Sequence, residues 1–308
     1  MSIEFHRRML ADRVRYDAFR EAFARTIVPG RTTVADIGAG TGILAFLARE
    51  LGATDIWLYE PTAVLDLARR IADANGLRGL TFVPEYSLDV FDPPRADLVV
   101  AEVLGNFAYE EGMLETLRDA RRFIAPGGTL IPRSIVQWAS PVASPRFDED
   151  FRSWRNVGVD LDFAEAERMS RNNMYVFAIE PADLAPPAPA VWDSLDFTGD
   201  VQSRRAGEAV FRASDAFAAY GFALWWECTL VPGVVLSTSP HAPRTHWDQI
   251  YMPLLEPLAL EPGDELVLAI ETETGGDEPG IAVAWHATQR RSGAVVARQS
   301  LSLAAGQI

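Results

Sequence analysis

The pattern of apolar residues changes near residue 135, and this change limits the possible folds more than any single motif does. Up to that point, helix-like segments such as RVRYDAFREAFART alternate with short strand-like segments such as TTVADIGAG and ADLVVAE. Alternating strands and helices predict a parallel sheet with helices on both of its faces. Beyond it, segments such as YGFALWWECTLV and DELVLAIETE follow one another between Gly, Pro and Asp residues. These segments predict an antiparallel β unit, either a barrel or a sandwich.

We therefore expect an α/β fold in two domains. Residues 1–135 would form a Rossmann-like, doubly wound domain, and residues 136–308 an antiparallel β domain. The stretch from about 145 to 173 has helical spacing and would be a helical arm inserted between strands. In the first domain, the helix predicted within EEGMLETLRDARRFI would stop at Pro126-Gly127-Gly128, because proline does not continue a helix.

The composition narrows the possible partners and locations. A formal net charge of −15 argues against nucleic acid as a partner and suits a cationic small molecule or an arginine-rich peptide. No apolar run approaches the ~18 residues that span a membrane, and the charged N-terminus lacks the apolar core of a secretory signal. The one cysteine, Cys228, excludes an intramolecular disulfide and fits a reducing cytoplasm. A metal site is disfavoured because neither C-x-x-C nor H-E-x-x-H spacing occurs.

A glycine-rich stretch, VADIGAGTGIL, lies directly after a predicted strand and before a predicted helix. Glycines at alternate positions permit a tight turn and let a ligand approach the backbone closely. The spacing differs from the dinucleotide fingerprint, and no Lys-Ser/Thr follows as a P-loop requires. An acid ends the next strand, IWLYE, where a carboxylate can accept hydrogen bonds from ribose hydroxyls. These features predict an adenosine-type ligand at Asp36, Gly38, Ala39, Gly40 and Glu60.

The glycine loop together with Glu60 resembles the class I S-adenosylmethionine-dependent methyltransferases. The resemblance implies a cofactor that lies across the carboxyl ends of the first two strands, a position that a doubly wound sheet favours. The alternative is a tight structural turn without a ligand, with Glu60 exposed to solvent.

The stretch AEVLGNFAYEEGML places two acids at the end of a predicted buried strand. It resembles the double-E loop of the protein arginine methyltransferases, with Glu102, Gly105, Glu111, Met113 and Leu114 in register. A guanidinium is planar and permanently charged, and its forked N–H donors match carboxylates. Two carboxylates can hold it and draw positive charge away from the nitrogen that attacks the methyl group. We therefore expect Glu102 and Glu111 to be catalytic and to bind the acceptor.

Near the N-terminus, HRRMLADRVR resembles the H-x-x-M-L-x-D-x-x-R stretch of the same family. The match implies that Arg15 binds the carboxylate of the cofactor, that His6 lines the cofactor pocket, and that Met9 and Met113 border the transferring methyl group. Without the family, the segment is an amphipathic helix with Met9 in the core and Arg15 in solvent.

A third match lies in LSTSPHAPRTHWDQ, which resembles the threonine-histidine-tryptophan loop that closes the arginine pocket of the family. Thr245, His246 and Trp247 are the matching residues. The resemblance implies that His246 pairs with Asp12 and that the pair takes up the proton released by the guanidinium, a role that suits imidazole near neutral pH. The alternative is a loop that only packs against a barrel.

The sequence departs from the family pattern at the rim of the site. Val103-Leu104 replaces the usual Trp-Met, and Asn106 replaces an aromatic residue. Ser87 and Leu88 lie where the family has a Glu that contacts adenine, so that contact would come from backbone groups. The acceptor would then meet Met9, Glu102, Asn106, Glu111, His246 and Trp247.

These observations predict an S-adenosylmethionine-dependent N-methyltransferase that acts on a peptidyl or protein arginine, or on free L-arginine, and releases S-adenosylhomocysteine. One alternative is a methyltransferase of another small metabolite, which the altered rim favours, and another is a non-catalytic cofactor-binding subunit. The resemblance also implies a homodimer that assembles through the arm. We expect neither nucleic-acid nor membrane partners, and a cytoplasmic location.

Overall fold

A five-stranded parallel sheet forms the first part of the chain, in a computed structural model that describes residues 3–275 and 280–307. The strands lie in the order β3-β2-β1-β4-β5. Strand β1 is buried along its whole length, as a strand covered on both faces requires. The elements of this part are α1 (Ile3–Leu10), α2 (Arg13–Thr26), β1 (Val34–Ile37), α3 (Ile43–Glu50), β2 (Ile56–Tyr59), α4 (Val64–Ala74), β3 (Leu80–Val83), β4 (Ala96–Ala101), α5 (Met113–Ala120) and β5 (Ile124–Ile131).

The strand order reverses direction at β1, which pairs with β2 on one side and with β4 on the other. In an open parallel sheet, the crevice outside the carboxyl ends of the strands at such a reversal is where ligands bind. The glycine loop after β1, Glu60 after β2 and Glu102 after β4 all follow these carboxyl ends. The topology therefore brings the predicted cofactor and acceptor residues to one edge.

The second part of the chain is built from antiparallel strands in two sheets, one ordered β7-β12-β10-β6-β8 with β11 beside β10, the other β15-β14-β13-β9. The sheets share a core, in which Phe211 of one packs 6.1 Å from Phe222 of the other. The elements are β6 (Ser134–Val142), α6 (Arg146–Arg152), α7 (Ala164–Arg171), β7 (Tyr175–Phe177), β8 (Ala190–Asp196), β9 (Arg204–Arg212), β10 (Phe217–Val231), β11 (Val234–Ser237), β12 (Gln249–Leu260), β13 (Glu265–Thr274), β14 (Ile281–Arg291) and β15 (Ala294–Ser302).

Helices α6 and α7 interrupt the strands between β6 and β7 and form the helical insertion. A buried ionic network joins them, because Arg171 lies 2.8 Å from both Asp148 and Glu167. Arg155, in the short 3-10 turn after α6, adds a contact of 2.7 Å to Glu167. Helix α6 also buries Phe147 and Phe151 in an apolar cluster, and breaking the ionic network at one partner would leave a buried charge unpaired.

The prediction that Pro126-Gly127-Gly128 ends the preceding helix is wrong. Helix α5 ends at Ala120, and a 3-10 turn leads directly into β5, which contains all three residues. Their function is to form a bulge: β4 and β5 pair at Ala96 with Ile124 and next at Leu98 with Thr129. Glycine fits this bulge because Gly127 has φ +80° and a Cβ at Gly128 would lie 2.9 Å from the carbonyl oxygen of Asp97.

Candidate active site

A cavity of about 180 Å³ lies at the carboxyl edge of the parallel sheet and extends to the loop between β11 and β12. Three segments far apart in sequence enclose it: α1 with the start of α2, the strand ends of the sheet, and residues 246–247. Most of the residues predicted from the sequence line it, namely His6, Met9, Arg15, Asp36, Gly38, Ala39, Gly40, Glu60, Glu102, Glu111, His246 and Trp247.

The glycine loop holds its shape through the neighbouring strand end. The backbone N–H groups of Gly38 and Ala39 donate to the carbonyl oxygen of Tyr59 at 2.9 and 3.1 Å. Gly38 has φ +71°, and a Cβ there would lie 2.9 Å from Cγ1 of Val103. Glycine is therefore required by both conformation and space, because the loop after β4 presses against it.

Glu60 is buried rather than solvated, so the alternative reading of this acid is wrong. Its carboxylate accepts hydrogen bonds from the backbone N–H of Gly40 at 3.1 Å and of Thr62 at 2.9 Å. A carboxylate has about four acceptor positions, so lone pairs remain for hydroxyl donors from a ligand. The two backbone donors fix the direction in which those lone pairs point.

His6 and Asp36 are also buried in the wall of the cavity. Burial lowers the pKa of His6, so its imidazole is neutral at pH 7, and its Nδ1 atom has no hydrogen-bond partner within residues 3–275 and 280–307. Burial likewise raises the pKa of Asp36 to about 7, although its carboxylate accepts a hydrogen bond from the N–H of Ala45 at 3.0 Å. A buried nitrogen without a partner, in a residue that lines a cavity, is a hydrogen-bonding group that a ligand could satisfy.

Glu102 is already paired with a guanidinium, that of Arg15. Nε of Arg15 donates to Oε2 of Glu102 at 2.9 Å, and Nη2 makes a second contact with the same oxygen. Both side chains are almost fully buried, at 4% and 6% exposure, so the reading of Arg15 as a solvated helix residue is wrong. Oε1 of Glu102 keeps only a long hydrogen bond of 3.3 Å from the N–H of Leu104.

Glu111 differs from Glu102 in having no hydrogen bond or ion pair to any residue that the structure describes. Its carboxyl borders the cavity, although the residue as a whole is exposed. Desolvation, together with the like charges of Glu102 and Glu110, raises its pKa. A cation that entered the cavity beside Glu111 would remove this repulsion, so the site favours a positively charged occupant.

Asp12 joins the N-terminal helices to the loop that carries His246. Its Oδ2 lies 2.8 Å from Nδ1 of His246 and also accepts a hydrogen bond from the backbone N–H of His246 at 2.7 Å. Its Oδ1 caps helix α2 by accepting a hydrogen bond from the backbone N–H of Arg15. Burial opposes ionisation of Asp12, but these hydrogen bonds outweigh it and lower its pKa. With Nδ1 of His246 donating to Asp12, Nε2 is left to accept a proton.

Hydrogen bonds from the loop that carries His246, and one from strand β10, hold the double-E loop in place. Nε1 of Trp247 donates to the carbonyl oxygen of Leu104 at 2.8 Å, and Nε1 of Trp226 donates to that of Gly105 at 3.1 Å. The side chain of Asn106 accepts from the N–H of Asp248 at 3.0 Å. The second part of the chain therefore closes the cavity and also fixes the backbone that carries the acids.

Four of the residues predicted to bind a ligand lie outside the cavity. Asn106 faces the loop of Asp248 instead of the acceptor position, because its amide oxygen is used there. Ser87 is buried in a turn whose carbonyl oxygens accept hydrogen bonds from the side chain of Arg122. Leu88 is exposed and lines a different cavity, which also borders Glu111. Met113 is fully buried in the core at the start of α5. Ser87, Leu88 and Met113 therefore do not line this cavity, and their predicted contacts with the cofactor stay predictions.

Other lining residues were missed by the motif comparison, among them Phe5, Ile43, Thr62 and Val64. Each is a neighbour of a recognised residue or lies at the start of the helix that follows a recognised loop. A search for apolar residues within four positions of Glu60 and His6 would have found Val64 and Phe5. Within residues 3–275 and 280–307, no group of three His, Cys, Asp or Glu side chains is arranged to hold a metal ion. Nor is any described helix long and apolar enough to cross a bilayer.

The chain matches known families in both of its parts. A family described as the arginine methyltransferase oligomerization subdomain matches residues 137–279, and one described as ribosomal protein L11 methyltransferase matches residues 21–144. Protein arginine N-methyltransferase 6 of Xenopus laevis is 31% identical over 279 residues, which cover 84% of this chain and 80% of that protein. Protein arginine N-methyltransferase PRMT10 of Arabidopsis thaliana is 27% identical over 310 residues, covering 87% and 80%.

Solved structures share the fold. A chain of the Trypanosoma brucei PRMT1 enzyme–prozyme heterotetrameric complex with AdoHcy superposes with a TM-score of 0.87 at 23% identity, covering 97% of each chain. Protein arginine methyltransferase 10 of Arabidopsis thaliana, described in a uniquely open conformation, gives a TM-score of 0.83 at 22% identity and the same coverage. The parallel sheet followed by an antiparallel barrel domain, as predicted from the sequence, is confirmed.

Proposed function

This chain belongs to the protein arginine methyltransferase family, and on that premise we propose that it transfers a methyl group from S-adenosylmethionine to a guanidino nitrogen of arginine. The observation that carries the proposal is the pair Glu102 and Glu111, which border one cavity with the glycine loop and Glu60. One acid is paired with Arg15 and the other has an unpartnered carboxylate, so the cavity has room for one more cation.

The residues of the cavity fit S-adenosylmethionine. Glu60 would accept hydrogen bonds from the ribose hydroxyls, and the unpaired Nδ1 of His6 offers a further polar contact. Arg15 uses Nε and Nη2 for Glu102, which leaves donors on Nη1 for the carboxylate of the cofactor. When bound, S-adenosylmethionine supplies a methyl group activated by a sulfonium.

The acids orient the acceptor. Glu111 and Oε1 of Glu102 would accept hydrogen bonds from two edges of a guanidinium and leave its third nitrogen free for attack. Their negative charge stabilises the cation while the new bond forms. Nε2 of His246, with Nδ1 held by Asp12, would take up the proton that the methylated nitrogen loses.

A peptidyl arginine fits better than free arginine as the acceptor. A second cavity, of about 630 Å³, adjoins Glu111 and is lined by Tyr86, Leu88, Glu110 and Glu115 among others. It offers acidic and apolar walls to residues that flank an arginine in a peptide. The alternative of another metabolite loses one of its supports, because Asn106 does not reach the acceptor position.

Assembly into a homodimer through the helical insertion is part of the proposal. Val159 and Leu161, between α6 and α7, are 57% and 72% exposed, and a groove on α2, α3 and α4 offers apolar residues such as Phe46 and Ile71 to a second copy. The domain division at residues 135 and 136 stays a prediction. So does a cytoplasmic location, which the single buried Cys228 supports.

Incubation with methyl-deuterated S-adenosylmethionine and either an arginine-glycine peptide or free L-arginine tests the proposal. We expect a mass gain of one or more labelled methyl groups on the peptide. A gain on free L-arginine alone would move the acceptor to a metabolite, and turnover only with an acceptor that lacks a guanidine would refute the arginine assignment.

Two variants connect the activity to the acids. Glu111→Gln should abolish most turnover and leave cofactor affinity intact, because Glu111 has no partner to lose. Glu227→Gln is the matched control: Glu227 accepts from Nε1 of Trp138 at 3.1 Å, a bond that glutamine can keep, and it lines neither cavity, so turnover should remain. Glu102→Gln is a less specific test of acceptor binding, since it would also leave Arg15 with a buried unpaired charge.

A further inference from the structure

The loop that carries Glu111 has an unfavourable backbone. Ala108, Glu111 and Gly112 have φ of 67°, 59° and 67°, so two residues with side chains lie in the left-handed region within four positions. Such conformations are unfavourable for residues with side chains and persist only where the surroundings fix them. The position of the Glu111 carboxylate therefore depends on what holds this loop.

Tyr109 provides an anchor on the Glu111 side of the loop. It is fully buried, and its hydroxyl donates to Oδ2 of Asp193, in β8, at 2.6 Å. Burial raises the pKa of Tyr109 well above its ordinary value, so the hydroxyl stays a donor at physiological pH. A bond to a carboxylate is among the stronger neutral-to-charged hydrogen bonds in proteins.

Asp193 is itself held in place from two directions. Nε of Arg205, in β9, donates to Oδ2 of Asp193 at 2.9 Å, and Nη2 contacts the other oxygen. The backbone N–H of Ser194 donates to Oδ1 at 2.8 Å. The carboxylate thus has a fixed position on the barrel and transmits that position to Tyr109.

Aromatic packing adds to the same attachment. Trp192, the residue before Asp193, stacks on Phe107 with ring centroids 6.0 Å apart and meets the edge of Tyr109 at 6.1 Å. The Glu102 end of the loop has separate anchors, in Arg15 and in the indole of Trp226. The two ends of the loop are therefore held by different elements, the Glu102 end by α2 and β10 and the Glu111 end by β8.

We propose that Tyr109, Asp193 and Arg205 form a positioning triad, through which the barrel holds Glu111 opposite Glu102 at the separation that a guanidinium needs. This proposal takes the identity of the acceptor from the proposed function, whereas the contacts among the three residues do not depend on that function. Asp193 and Arg205 do not border the cavity, so they act through Tyr109 and the loop and not on the acceptor itself.

Tyr109→Phe tests the triad because it removes one oxygen and leaves the Asp193–Arg205 pair intact. We expect kcat/KM for the arginine peptide to fall about tenfold, chiefly through KM, as loss of one hydrogen bond to a charged group would give. Cofactor affinity should not change, since the glycine loop and Glu60 are untouched.

Tyr251→Phe is the matched control. Tyr251 is also fully buried and also donates one hydrogen bond, to the carbonyl oxygen of Tyr220 at 2.9 Å, but it lies in β12 away from the cavity. Both variants should lose thermal stability, Tyr109→Phe the more because its partner is charged, and only Tyr109→Phe should raise KM. Equal KM values in the two variants would overturn the proposal.

A second measurement does not need turnover. The Glu111 carboxyl can be titrated by carbon-13 NMR in the free protein, with its signal assigned by Glu111→Gln. The charged and titratable groups around it are Glu102 and Glu110 on its own loop, Glu115 in α5 and, lining the first cavity, His6, Arg15, Asp36, Glu60 and His246.

Release of the loop in Tyr109→Phe should lower the pKa of Glu111 towards its ordinary value, because the carboxyl would leave both the desolvating cavity and the like charges. Tyr251→Phe should titrate like the unmodified protein. If the unmodified protein methylated no arginine acceptor, the proposed function would be refuted. The titration would still show whether Tyr109, Asp193 and Arg205 position Glu111. An unchanged Glu111 titration in Tyr109→Phe would refute the triad.

Discussion

Asp36 has the most strongly altered ionisation among the acids that line the cavity. It is buried at the end of β1, and burial raises its pKa from 3.8 to about 7, with Arg15 and the N–H of Ala45 only partly opposing this. Between these two pH values the folded chain binds a proton at this position and the unfolded chain does not. The free energy of unfolding therefore decreases as the pH rises through that interval.

Asp36→Asn should remove this dependence. Asparagine can still accept the hydrogen bond from Ala45 but never ionises, so the variant should lose less stability between pH 4 and about 7. At pH 8 it should be more stable than the unmodified protein. Urea denaturation at a series of pH values measures both effects, with Asp73→Asn on the exposed face of α4 as the control. Parallel pH curves for the Asp36 variant and the unmodified protein would contradict the assignment.

Single residues also show how far the sequence could be interpreted. Arg15, Glu60 and His246 line the cavity together, and each lies in a motif whose spacing fixes its place on a helix or strand end. Ser87 and Leu88 lie outside it, in a turn whose carbonyl oxygens accept hydrogen bonds from Arg122, more than thirty residues away. No local pattern in the sequence reports such a contact.

At the scale of elements, the loop between β11 and β12 closes the cavity through one indole. Nε1 of Trp247 donates to the carbonyl oxygen of Leu104 in the double-E loop at 2.8 Å. Trp247→Phe would leave that carbonyl buried without a partner, at a cost of about 1–3 kcal/mol. We expect a lower melting temperature and a higher KM for the acceptor.

Trp285→Phe distinguishes loss of closure from general destabilisation. Trp285 is also buried and also donates its indole N–H to a backbone carbonyl, that of Pro253 at 3.1 Å, but it lies inside the barrel. Its variant should show a similar loss of melting temperature with an unchanged KM. A KM that rises equally in both variants would mean that the loop acts only through stability.

A helix or strand was predictable from the sequence where its own residues determine its conformation. The fully buried β1 and the alternating β13 follow from apolar runs and alternation in the sequence. The bulge at Gly127-Gly128 was not predictable, because it arises from the register of β5 against β4 and not from a property of β5 alone. The double-E loop was located by its acids, whereas its attachment to Asp193 needs the barrel in place.

At the scale of the whole molecule, the exposed apolar tip of the helical insertion predicts self-association. Leu161→Asp places a charge on the tip, where Leu161 is 72% exposed, and should turn a dimer into a monomer because burying an unpaired charge is unfavourable. Sedimentation velocity at micromolar concentration measures the change. Phe91→Asp, at a residue that is 96% exposed elsewhere, should leave the dimer intact. A monomeric unmodified protein would refute the assembly.

The hydrogen bond between Asp12 and His246 joins residues that are 234 positions apart. Contacts of such long range form late in folding, because the chain must first lose the entropy of closing the intervening loop. During synthesis, the N-terminal helices cannot find this partner until His246 has left the ribosome, which is after strands β6 to β11 have been made. The proposed proton acceptor thus becomes available only after the sheet with its acids has been made, and a translation product interrupted before His246 would contain the cofactor edge without a complete centre.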